Sequence, residues 1–293
     1  MRAPEGESGE EGRPTLFARL ASPRAWRCGM DAANMLRNFR ELYQYRGLLF
    51  SLVQRELKAR YRGSVLGFFW TFLNPTLQML VYALLFSVYM RQNLPHYTYF
   101  MFVGLLPWNW FSSSLNAGAS AISDRRDLMT KVRFPAQVLP ATVVVTNLCN
   151  YVLSLPLMVG LGFFFGEWPT WHVVAFPVVL LCQLCFTLAV VYMVSAFNVR
   201  FRDLQHIVSN VLMMFFFLTP VLYPATTIPE PYRPLMTLAN PMAILVTSYQ
   251  SIFYEHRLPD FWPLTALMVG AFGLLWLATL VFEARREEFA ESI

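Results

Sequence analysis

Six stretches of this chain carry no Asp, Glu, Lys or Arg: residues 63–90, 92–123, 134–166, 168–199, 204–229 and 261–282. A helix needs about 20 apolar residues to cross the ~30 Å hydrocarbon core of a bilayer, and each stretch is long enough. A soluble fold would need a very large core to cover six such segments. Charged residues make up only 14% of the 293 positions, whereas ordinary soluble domains carry about 25%. The expected fold is therefore an all-α integral membrane protein with six transmembrane helices within residues 63–283.

Basic residues set the expected orientation. With a cytoplasmic N-terminus, the inner pieces hold 20 of the 23 Lys and Arg residues, leaving Arg91, Arg233 and Arg257 outside. This positive-inside bias places both termini in the cytoplasm, with residues 284–293 as a short tail. Residues 1–14, MRAPEGESGEEGRP, are acidic and rich in Gly, Pro and Glu, the reverse of a signal peptide. Residues 1–35 read as a disordered cytoplasmic extension.

Two segments outside the spans read as helices with unlike faces. Across 36–62, Arg40, Gln44, Gly47, Ser51, Arg55, Lys58 and Arg62 recur at steps of three and four, with Leu42, Tyr45, Leu49 and Val53 opposite. Such a helix lies on the inner leaflet, drawn to anionic lipid. The second segment lies within the extracytoplasmic stretch 225–258, between spans five and six. Asn240-Pro241 interrupts an uncharged run there, which opposes a seventh crossing. After the break, Met242, Leu245, Val246, Tyr249 and Phe253 share one face, and Ala243, Thr247, Gln250 and Tyr254 share the other. This pattern predicts a helix lying at the outer surface or dipping back into the protein as a re-entrant segment.

The chain has no engine of its own. There is no G-x-x-x-x-G-K-[ST], and its two lysines, Lys58 and Lys131, do not follow Gly-rich turns. The spans lack the ionisable residues that proton- and ion-driven transporters place in the membrane. No catalytic cluster or metal-ligand set appears. Cys182 and Cys185 form a C-x-x-C, but within an apolar span and without partners, so they read as packing residues. Nothing suggests nucleic-acid binding. An integral protein with polar pathways and no energy source points to a separate ATPase.

Those pathways are visible as stripes. Gly67, Thr71, Asn74, Gln78 and Tyr82 fall on one face of the first span, and Asn109, Ser113, Asn116, Ser120 and Ser123 on one face of the second. Thr71, Asn74, Gln78, Tyr82, Asn109, Ser113 and Asn116 are the candidate translocation path. Interhelical hydrogen bonding is the plain alternative, because a helix interface and a channel wall can share one face.

Four segments together resemble the permease subunit of bacterial ABC exporters for cell-surface polysaccharide, the O-antigen, capsule and teichoic-acid branch. They are RELKARYRGSVLGFFWTFLNP at 55–75, DLMTKVRFPAQVLP at 127–140, NVRFRDLQHIVSNVLMMFFFLTPVLYP at 198–224, and NPM at 240–242. The chain departs from that pattern at Asp127, Met129 and Thr130, where the family tends to have Asn, Ile and Lys. The resemblance implies a homodimer in the cytoplasmic membrane, bound to two copies of an ATPase that holds ATP and Mg, neither being a cofactor of this chain. It implies that residues 124–134 form the coupling helix, with Asp124, Arg125, Arg126, Asp127, Leu128, Met129, Lys131, Arg133 and Phe134 at the ATPase interface. The implied cargo is a glycan on a lipid pyrophosphate carrier. Arg55, Glu56, Lys58, Arg60 and Arg62 lie where its headgroup would approach, with Glu56 and Arg60 spaced to pair. Export of a small molecule or simple lipid, and a membrane-embedded glycan transferase, are the other readings.

Overall fold

In a computed structural model of the chain, residues 40, 43–89, 94–125, 135–201 and 203–284 are described. The proposed extension 1–35 and nearly all of the tail 284–293 lie outside the described residues, as do Arg126, Asp127, Leu128, Met129, Lys131, Arg133 and Phe134 of the expected coupling loop. The described residues form helices joined by turns, with no strands among them.

Helix α1 spans Arg46–Tyr61. After a short 3-10 turn, α2 runs Trp70–Ala83 and continues through one π-helical stretch, Leu84–Tyr89. Next come α3 (Tyr97–Ala119) and α4 (Val138–Phe165). Helix α5 is Phe176–Asn198 and α6 is Leu204–Leu218. The short α7 (Arg233–Ala239) leads into α8 (Pro241–Phe253), and α9 (Phe261–Ala284) closes the order.

Among the described residues, four segments are long and apolar enough to cross a membrane: Gly67–Ser87, Val138–Phe165, Trp171–Asn198 and Phe261–Phe282. The other two expected spans differ for separate reasons. Helix α3 has 23 residues, about 34 Å of helix, but Asn109, Ser112, Ser113, Ser114 and Asn116 dilute its apolar character. Helix α6 has 15 residues, about 22 Å, shorter than the bilayer core.

The polarity of α3 follows from its position. It lies at the centre of the bundle, touching α2, α4, α5, α6 and α8. Met101, Phe102 and Leu105 are wholly buried there. Two glycines bring neighbours close: a Cβ at Gly104 would meet Gln250 and Val246 of α8, and one at Gly118 would lie 2.5 Å from Val191 Cγ1 of α5. Helices α2 and α6 sit further out, with Leu80, Val81, Met213, Met214 and Phe217 exposed.

Helix α8 corrects the expectation of two unlike faces. Its apolar positions Met242, Leu245 and Val246 are buried, and so are Ala243 and Gln250 on the supposed polar side. The helix is enclosed by α3, α5, α7 and α9 rather than laid on the surface. Asn240 caps its N-terminus, accepting from the Ala243 N–H, and Pro241 occupies the first turn, where a missing N–H costs nothing. Asn240 Nδ2 donates to Thr219 Oγ1 at 2.8 Å, and Gln250 Nε2 donates to the Pro220 carbonyl at 2.9 Å. The polar side chains that suggested a wet face instead tie α8 to the turn after α6.

Val191 is buried and β-branched, so it has little rotamer freedom to yield. Gly118→Ala should therefore lower the melting temperature of the purified protein. The overpacking costs about 1–3 kcal/mol, which outweighs the ~1 kcal/mol that Ala gains over Gly in a helix. An unchanged or raised melting temperature would show that α3 and α5 are not held at this separation.

Candidate translocation site

Helix α1 ends in a basic turn containing Lys58 and Arg60, the sign of charge that suits the negative end of a helix dipole. Its apolar side, Leu52 and Val53, is buried, and Leu52 packs with Val138 and Leu139 at the start of α4. Arg55, Lys58, Arg60 and Arg62 remain exposed. Glu56 does not use the expected i+4 partner. Its Oε2 accepts from Arg125 Nη2 at 2.5 Å, joining α1 to the start of the expected coupling loop. Arg125 is bent back towards α1, with only 18% of its side chain exposed, while Asp124 accepts from Ser120 Oγ at 2.6 Å.

Above this junction, α2, α3 and α4 line an open cavity of about 450 Å³. Five of the seven predicted path residues line it: Thr71, Asn74 and Gln78 from α2, and Asn109 and Ser113 from α3. Arg60, from the predicted headgroup cluster, is the charged group among the lining residues. Two predicted residues lie elsewhere. The Tyr82 ring stacks on Phe216 of α6 at 5.6 Å, and Asn116 Oδ1 accepts from Ser209 Oγ of α6 at 2.8 Å.

The third wall is one that the sequence reading missed. Asn147, Asn150, Tyr151 and Ser154 of α4 line the same cavity. They fall at i, i+3, i+4 and i+7 on one helical face, so a search for polar faces in the third span would have found them. Asn147 is 3% exposed and its Nδ2 has no partner among the described residues. The stripes also hold helices together, since Asn109 Nδ2 donates to Gln78 Oε1 at 2.9 Å. Trp70 and Trp110 add flat apolar faces, and Trp110 Nε1 donates to the Val144 carbonyl. The cavity thus combines amides, hydroxyls and aromatic rings with one guanidinium at its edge. That set suits a neutral, hydroxyl-rich ligand with an anionic end.

Residues 47–254 match the ABC-2 type transporter family. The chain belongs to that family. With its long apolar helices it is a multi-pass membrane protein, a transport component rather than a catalytic enzyme. It is 72% identical over 260 residues to an O-antigen export system permease protein, RfbA, from Myxococcus xanthus, a match that covers 88% of this chain and all of that protein. An RfbA permease from Klebsiella pneumoniae is 30% identical, covering 83% of this chain and 94% of that one. The polysialic acid transport protein KpsM of Escherichia coli is 22% identical, covering 83% and 95%.

The Glu56–Arg125 pair lends itself to a charge-swap test. Glu56→Arg should destabilise the protein by setting two guanidinium groups together, and adding Arg125→Glu should restore most of the loss. For this partly buried pair the recovered coupling is about 0.5–3 kcal/mol, read as the melting temperature across the four-member cycle. Strictly additive effects would show that the contact carries no coupling.

Proposed function

We propose that this chain is the membrane-spanning subunit of an ATP-driven exporter, which moves a lipid-linked polysaccharide from the inner to the outer face of the bacterial cytoplasmic membrane. The observation that carries this reading is the 72% identity, along the full length of the relative, to a permease named for O-antigen export. The cavity's lining supports the same cargo class. Amides and hydroxyls exchange hydrogen bonds with sugar hydroxyls, and aromatic faces let a sugar ring slide, without a fixed charge to hold it in the middle of the path.

In this proposal two copies of the chain form a homodimer, each with six spans and both termini in the cytoplasm. Helix α3 and the short α6 complete the six, shielded by neighbours and by the partner copy, while α8 is a re-entrant helix at the outer end. Two copies of a separate ATPase supply ATP and Mg and dock on the loop 124–134. Arg60 receives the carrier's phosphate, with Arg55, Lys58 and Arg62 drawing it in from the inner leaflet.

Deleting the gene should make lipid-linked polymer accumulate inside the cell and disappear from its surface. Returning the chain with Asn74→Leu and Asn150→Leu should leave insertion and ATPase co-purification intact and reduce surface polymer at least tenfold, the effect of losing about 1.4 kcal/mol of binding along the path. Normal surface polymer in the deletion strain would overturn the function. Normal export by the double variant would remove the cavity from the path.

A further inference from the structure

Between the end of α5 and the start of α6 lies an open groove of about 790 Å³. Helix α6 leans on α3 more than on α5, which leaves a wedge where the two helices part. Val194 and Phe197 of α5, with Leu204 and Ile207 of α6, give the groove apolar walls. Its two charged lining residues, Arg200 and Asp203, come from the turn between the helices. The apolar segment that includes α5 ends at Asn198, so the walls lie at membrane depth and both charges lie just beyond it, at the level of lipid headgroups. None of these residues lines the cavity of α2, α3 and α4.

Arg200 and Asp203 are exposed, and among the described residues neither has an ion-pair partner. They do not pair with each other, although they are three positions apart. Asp203 stands at the N-cap of α6, where an aspartate usually accepts a backbone N–H, and its side chain makes no such bond. The mouth of an apolar groove thus offers one cation and one anion together. An anionic headgroup would suit Arg200 but meet repulsion from Asp203. A water-soluble partner would leave the apolar walls without a matching surface. A dipolar head on an acyl chain satisfies all three features.

We propose that this groove holds a zwitterionic phospholipid with a primary ammonium head, as in phosphatidylethanolamine. One acyl chain lies along Val194, Phe197, Leu204 and Ile207. The lipid phosphate accepts from the Arg200 guanidinium, and the ammonium donates to the Asp203 carboxylate. Phe201, 57% exposed beside Arg200, adds the kind of ring that favours the headgroup level. A choline head carries the same two charges but no N–H, so Asp203 discriminates against it. A glycerol head offers Asp203 no cation at all. The seated lipid fills the wedge beside α6, whose 15 residues are too few to cross the bilayer core unaided. The site is independent of what passes through the cavity of α2, α3 and α4.

The test is native mass spectrometry of the full chain released from nanodiscs that contain phosphatidylethanolamine, its monomethyl and dimethyl forms, phosphatidylcholine and phosphatidylglycerol, all with identical acyl chains. Phosphatidylethanolamine should be retained about threefold over phosphatidylcholine, the size of one solvent-exposed charged contact, and retention should fall along the methylation series. Phosphatidylglycerol should be retained less than phosphatidylethanolamine. Asp203→Asn should remove the preference for ethanolamine over choline, and Arg200→Gln should lower retention of every phospholipid. Val194→Trp, which fills the groove, should do the same. The methylation series uses the unaltered chain, so the test stays decisive if a variant fails to fold. Equal retention of ethanolamine and choline heads, phosphatidylglycerol retained above both, or a preference that survives Asp203→Asn would overturn the proposal. So would a Val194→Trp variant that splits a dimer in the same spectra and leaves lipid retention unchanged, since a second copy would then cover the groove.

Discussion

The bundle is organised around a polar helix at its centre, whose hydrogen bonds to its neighbours hold the arrangement together. Water is absent from a bilayer core, so each unpaired donor or acceptor there is costly. Helix α3 meets that demand with several kinds of bond. Ser114 donates back to the Trp110 carbonyl in its own helix, and Gln183 of α5 donates to the Pro107 carbonyl at 2.8 Å. Tyr97 reaches the Leu222 carbonyl beyond α6, and Asn109 reaches Gln78 on α2. These bonds explain why the neighbours are arranged around α3 as they are.

The same logic separates what was legible in the sequence from what was not. Charge-free stretches mark the bundle because lipid-facing and core-facing residues are apolar alike. The α2 and α3 stripes were readable because their amides repeat at helical spacing, and five of those seven residues do meet in one cavity. The other two, Tyr82 and Asn116, share the spacing but turn towards α6, since a face of α2 or α3 touches more than one neighbour. Helix α8 misled for a related reason. Gln250 and Ala243 looked like a solvent face, but a buried amide bonded to Pro220 and a buried alanine give the same pattern as an exposed side. Glu56 could be assigned a local partner from spacing, whereas its actual partner, Arg125, lies 69 residues away. Sequence periodicity carries no information about such a contact.

The two ends of the bundle are built on different chemistry. At the α1 end, guanidinium groups are exposed and one carboxylate, Glu56, links the helix to the segment that leads into the loop 124–134. The ion pair ties that segment to α1, and Arg60, one turn further along α1, lines the cavity. At the opposite end the roles of the charges are reversed, with one carboxylate serving two imidazoles. That end is tied together by discrete hydrogen bonds, from His96 and His256 to Glu167 and from Tyr254 to the Pro95 carbonyl.

Between those ends, holding helices together and lining a path are not competing roles for the same amides. An interhelical hydrogen bond in a membrane protein is worth roughly 0.6 kcal/mol, because the separated groups find other partners. A sugar hydroxyl is such a partner, being both donor and acceptor. If the proposed path is followed, the Gln78–Asn109 bond is exchanged for bonds to cargo at little net cost and re-formed afterwards. Asn147 is buried and its Nδ2 lacks a partner among the described residues, a donor that a cargo hydroxyl would satisfy in the proposed function. Under the proposed function, a lining that combines exchangeable bonds with an unsatisfied donor binds each unit of a polymer weakly and releases it easily. A long chain needs both properties if it is to pass through without stalling.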